Sequence, residues 1–98
     1  MREVLISGLV WEKIANLESY LITELKLSET AVLRRSARMR KFVFTIRVPV
    51  DYPLCRFKRW CMLGYHCAVF EKDWVFAYEI FNGGIIIRDM SHTSLLVE

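Results

Sequence analysis

Residues 64–92, GYHCAVFEKDWVFAYEIFNGGIIIRDMSH, decide the fold, because they read as three short strands joined by two tight turns. Lys72-Asp73 is a compact polar break between two aromatic and β-branched runs. Asn82-Gly83 is the strongest short hairpin signal, suited to a type I′ turn and its positive φ. The reading is a three-stranded antiparallel meander.

Two-residue turns set the register by counting. Across Lys72-Asp73, His66 is expected to face Glu79 and Ala68 to face Ala77; across Asn82-Gly83, Glu79 faces Ile86 and Ala77 faces Arg88. One side then carries Tyr65, Cys67, Val69, Trp74, Phe76, Tyr78, Ile80, Ile85 and Ile87 and must be buried. The other carries His66, Glu79, Arg88 and His92 among small and apolar neighbours, and is where function is expected.

Working outward, Arg2 to Ser7 reads as a short strand around Val4-Leu5-Ile6 that joins the sheet edge. From about Gly8 to Leu25, Val10, Ile14, Leu17, Leu21 and Leu25 recur at spacings of three and four, an amphipathic helix. Ser28 is an N-cap for a second helix from about Glu29 to Phe44, with Glu29 near the positive end of its dipole. The short link between them makes a helical hairpin. Pro49 and Pro53 end the helical region and hold the chain extended.

Charge is concentrated on the second helix, where five of the eight residues from Arg34 to Lys41 are basic (Arg34, Arg35, Arg38, Arg40, Lys41). Such clustering suits nucleic acid or an acidic partner, although a solvated helix face has the same composition. Arg56, Lys58 and Arg59 alternate with Phe57 and Trp60, a pattern fitting phosphate contact with base stacking, or simply packed aromatics beside solvated charges.

The 98 residues make one domain, 1–98, with little surplus core. The apolar content of 54% is high for so small a domain, so a partner or a second copy (a homodimer) has surface to cover. No apolar run approaches the ~20 residues of a membrane helix. Arg2-Glu3 before a short apolar run does not make a signal peptide, and a cytoplasmic location is expected. Cys55, Cys61 and Cys67, an odd number at even spacing, fit neither a disulfide framework nor a CxxC zinc site, so reduced thiols and no metal are expected.

Element order and short motifs together resemble the RelE/ParE superfamily of bacterial type II toxin–antitoxin toxins. Trp11-Glu12-Lys13-Ile14 through Tyr20-Leu21 looks like the family's first helix, and Leu63-Gly64-Tyr65-His66 like the start of its central hairpin. Residues 74–80 resemble its middle strand, and Ile86-Ile87-Arg88-Asp89-Met90-Ser91-His92 its closing strand. The resemblance implies an α+β fold, β-α-α-β-β-β, with a helical hairpin on one face of a four-stranded, mainly antiparallel sheet. It also implies a cognate antitoxin as partner, no cofactor, and one of two activities: ribosome-dependent mRNA cleavage (an mRNA interferase), which the polar residues of the open sheet face and the basic helix favour, or poisoning of DNA gyrase; an inactive antitoxin-binding relic is the third alternative. For cleavage, the family pattern falls on His66, Ala68 and Val75 in the first hairpin, of which only His66 is ionisable. Arg88 and His92 would add charge stabilisation and proton transfer, and Glu79 would orient His66 or serve as base. Arg34, Arg35, Arg38, Lys41, Arg56, Lys58 and Arg59 would contact nucleic acid or partner. The bland alternatives are a surface histidine, a plain cross-strand pair and an ordinary ion pair.

Overall fold

The computed structural model describes residues 2–47 and 51–96, so Pro49 lies outside the described residues. The elements are β1 (Glu3–Ile6), α1 (Gly8–Thr23), α2 (Glu29–Thr45), α3 (Lys58–Met62), β2 (His66–Phe70), β3 (Trp74–Phe81) and β4 (Gly84–His92), followed by a 3-10 turn, Thr93–Leu95. The sheet order is β1-β4-β3-β2, with β1 parallel to β4 and the other pairs antiparallel. This is the expected α+β layout with one short helix, α3, added.

Both helices start where a serine accepts from an unpaired N–H of the first turn: Ser7 Oγ from Leu9 and Ser28 Oγ from Ala31. Their apolar stripes, Val10 and Ile14 on α1 and Met39 and Val43 on α2, meet Ala68, Phe70, Phe76, Tyr78, Ile85, Ile87 and Met90 from the sheet in one buried core. The hairpin therefore packs on one sheet face.

The register departs from counting at the first turn and at a bulge in β4. Residues Glu71 to Asp73 form a three-residue turn closed by Phe70↔Trp74, so His66 pairs with Tyr78 and Ala68 with Phe76. Glu71 and Lys72 adopt positive φ, 48° and 70°. Left-handed backbone costs an L-residue roughly 1–2 kcal/mol, but a one-residue slip would turn Phe70 and Ala68 out of the core. Glu71 also accepts ion pairs from Arg35 and Arg38 of α2, which tie the turn down. At the second turn Glu79↔Ile86 is as counted, but only Gly83 (φ 96°) is left-handed, so the turn is not type I′. A bulge beyond Tyr78↔Ile87 leaves Arg88 unmatched, and Ala77 faces Asp89 rather than Arg88. Gly84 is required where β1 pairs with β4: a Cβ there would run into the Glu3 carbonyl oxygen.

The second sheet face is not open along its whole length. Cys55, Phe57 and Trp60 are buried against Val75 and Ala77, with Tyr65, Cys67 and Leu96 alongside. Residues 53–55 run antiparallel to β2 through the Leu54↔His66 bridge, Cys55 N–H to Tyr65 O and Cys67 N–H to Pro53 O. Cys55 and Cys67 form a disulfide there, Cα–Cα 4.9 Å, while Cys61 is a free, exposed thiol. The expectation of three reduced cysteines is corrected accordingly. The pairing follows from a tertiary bridge that spacing alone does not encode.

Candidate functional site

The four residues expected to act together are separated by the corrected register. His66 stacks on Tyr78 (ring centroids 5.4 Å apart) and His92 meets Trp74 edge-on at 5.2 Å, both on the side packed by the helices. Their partners lie four residues apart on β3, roughly 13 Å at about 3.3 Å per residue. Glu79 and Arg88 project from the opposite side, where Arg88 Nη2 donates to Glu79 Oε1 at 2.9 Å. That bond holds the Arg88 guanidinium above its ordinary pKa. The structure therefore brings Glu79 to Arg88 but neither to a histidine.

The histidines have different chemistry. His66 Nδ1 lies 2.6 Å from the Tyr52 carbonyl oxygen, which only accepts, so Nδ1 carries a proton and Nε2 makes no hydrogen bond to a described residue. His92 Nδ1 accepts the Ser94 N–H at 3.2 Å and lies 2.8 Å from Ser94 Oγ, so the ring caps the terminal 3-10 turn.

Beneath His66 lies a polar network that sequence reasoning missed. The Arg2 guanidinium donates twice to the Ile46 carbonyl, at 3.2 and 2.9 Å, pairs with Asp51 Oδ1 at 2.6 Å, and sits 5.9 Å from the Tyr78 ring centroid. The fully buried Tyr78 accepts the Tyr52 N–H at 2.9 Å and donates to Asp51 Oδ1 at 3.2 Å. Arg2's hydrogen bond lowers the Asp51 pKa, and burial raises that of Tyr78. A phenol inside a buried β face must find a partner, and that requirement at Tyr78 is the signal from which the cluster could have been sought. Arg2 ties this network to the end of α2 at Ile46, and Tyr78 and Arg2 together hold Asp51 and Tyr52 against the sheet. His66 Nε2, beside this network, makes no hydrogen bond to a described residue.

The basic residues also sort themselves. Arg35 and Arg38 pair with Glu71, and Arg40 with Glu18 and Ser36, so much of the α2 charge is spent within the fold. Arg34 and Lys41 stay exposed. Phe57 and Trp60 are buried, edge to face at 6.1 Å, and cannot stack bases, so the stacking expectation for residues 56–60 is corrected. Lys58 and Arg59 are exposed, and Arg56 lies over the Phe57 ring at 5.4 Å.

A groove of about 720 Å³ opens between α3, the C-terminal turn and the last residues of β4. Lys58 and Arg59 stand on its rim, with Lys13 of α1 at its end. Among the described residues no three His, Cys, Asp or Glu side chains group as a metal ion would need, and no helix is long and apolar enough to cross a membrane. No protein-family model, curated protein or solved structure matches the chain.

Proposed function

We propose that the chain is the toxin of a type II toxin–antitoxin pair of RelE/ParE type, held silent in the cytoplasm by a cognate antitoxin. The supporting observation is the layout: a helical hairpin laid on one face of a sheet whose first strand runs parallel to its last and whose remaining strands form a meander. Target binding in the manner of gyrase poisons suits the geometry better than catalysis, because His66, His92 and the Glu79–Arg88 pair are too dispersed to serve one phosphodiester. Ribosome-dependent mRNA cleavage is the second reading. It is favoured by the unengaged Nε2 of His66 and by the exposed Arg88 guanidinium.

Induction of the chain without antitoxin, with separate readouts of DNA and protein synthesis, tests both. Arrest of DNA synthesis with cleaved DNA trapped on gyrase supports the first. Transcripts cut on the ribosome, lost in His66→Ala and Arg88→Ala, support the second. Unimpaired growth rejects the toxin reading altogether. A cytoplasmic toxin would also have to keep the Cys55–Cys67 bond against cellular thiols.

A further inference from the structure

We propose that the Cys55–Cys67 disulfide is a reversible latch on a hinged flap, residues 53–63, which covers part of the second sheet face until a dithiol reduces the bond. This goes beyond the toxin reading and does not depend on it. Both ends of the flap are fixed without sulfur. Before it, Tyr78 and Arg2 hold Asp51 and Tyr52. After it, Gly64 turns at φ 76° and His66 enters the β2–β3 ladder. Between these points the flap meets the sheet at one isolated bridge, Leu54↔His66, with the two backbone hydrogen bonds beside it, and through Cys55, Phe57 and Trp60 packed on Val75 and Ala77. The bond is the remaining tie. The helix of the flap, α3, has five residues and no side-chain cap, too short to persist once detached.

The bond also lies outside the main core. Val10, Ile14, Met39, Val43, Phe76 and Tyr78 are buried between the helices and the other sheet face, in a cluster that contains neither cysteine. Opening is therefore local, and a segment with few buried contacts opens at low cost. Cys55 is 2% exposed but Cys67 is only partly buried, so an incoming thiolate attacks the Cys67 sulfur. That forms a mixed disulfide and expels Cys55 as a thiolate, which takes up a proton. The second thiol of the reductant then displaces Cys67, which takes up another proton, and the reductant leaves as its own disulfide. The chain gains two electrons and two protons in all. Val75 and Ala77, both fully buried in the closed form, then come to the surface.

The test uses the whole chain carrying Cys61→Ser, so that no third thiol can exchange. Reduced dithiothreitol is expected to speed amide exchange about tenfold or more at residues 55, 61, 63–65 and 67, whose N–H groups bond within the flap or to its neighbours. Trypsin should cut after Lys58 and Arg59 faster by a similar factor. Exchange in α1, α2 and β3 should not change, and His66 should keep its Nδ1–H tautomer in nitrogen NMR shifts, because Tyr52 stays in place. Oxidised dithiothreitol should restore the closed form. In the same background, Cys55→Ser/Cys67→Ser should behave as the reduced form with or without reductant. Equal exchange in the oxidised and reduced forms overturns the proposal, since packing alone then holds the flap. So does loosening that spreads to α1 and α2, which marks a staple of the whole fold, or a bond that persists in excess reduced glutathione.

Discussion

The Lys13 ammonium lies 2.6 Å from the Asp89 carboxylate, and together they close the bare edge of β4. β1 covers β4 only as far as Ile6↔Ile87, and beyond it the backbone of Met90 would be unpaired on that side. Asp89 Oδ1 accepts the Met90 N–H at 2.7 Å, and Lys13 Nζ donates to the Met90 carbonyl at 3.1 Å. Two side chains thus stand in for a strand, and an edge left open is a template for pairing with another chain. Asp89→Ala is expected to destabilise by about 1–3 kcal/mol, the cost of orphaning a buried amide, and to raise self-association in sedimentation. Lys13→Met should cost less. Equal urea midpoints for wild type and Asp89→Ala would remove the capping role.

Gly84→Ala tests how closely β1 approaches β4. The new methyl would meet the Glu3 carbonyl oxygen, which is backbone and cannot swing aside. A loss of about 1–3 kcal/mol is expected from overpacking, with faster amide exchange at residues 3–6. Unchanged exchange there would mean that β1 adjusts freely.

The Arg2–Asp51–Tyr78 network predicts two pH limbs. The Asp51 pKa is lowered in the fold, so its contribution is full above the unfolded carboxylate value of about 3.9 and is lost as pH falls through the lower folded value. The Tyr78 pKa is raised, so its contribution is full below about 10 and is lost as pH rises through the higher folded value. Tyr78→Phe should lose about 1–3 kcal/mol at neutral pH, from the hydrogen bonds it breaks, and flatten the alkaline limb. Arg2→Met should weaken the acid limb. Denaturation midpoints from pH 2 to 11 check both, and unaltered limbs would show that other groups set them.

Reduction of Cys55–Cys67 should loosen the cover over Val75 and Ala77 while sparing the helix-side core. Opening a loop of this size is worth about 3 kcal/mol. With Cys61 replaced by Ser to prevent thiol exchange, a thiol reductant should lower the urea midpoint and change the near-ultraviolet dichroism of Trp60. Identical curves with and without reductant would show that packing alone holds α3.

Much of the architecture was legible because helix stripes and serine caps are local signals. Val10, Ile14 and Leu17 on α1, and Ser28 before α2, announce themselves without reference to the rest of the chain. The site was not, because it depends on strand phase. Phase is settled by whether Phe70 reaches the core, by a turn held through Glu71 and two arginines of α2, and by a bulge at Arg88 that no composition announces. Counting across Asn82-Gly83 worked as far as Tyr78 and failed beyond it. The Arg2–Asp51 pair lay further out of reach, joining residues 49 positions apart.

The unmatched Arg88 gives β4 a slack that residue identities alone would not suggest. Deleting Arg88 alone would remove the bulge and leave Ala77 opposite Asp89 and Phe76 opposite Met90, with the inward and outward sets downstream unchanged. Deleting a second residue between Gly84 and Arg88 would exchange those sets, driving Asp89 into the oily layer and lifting Met90 out of it. The strand thus carries one residue more than its ladder requires, and loss of that residue should be far better tolerated than loss of two.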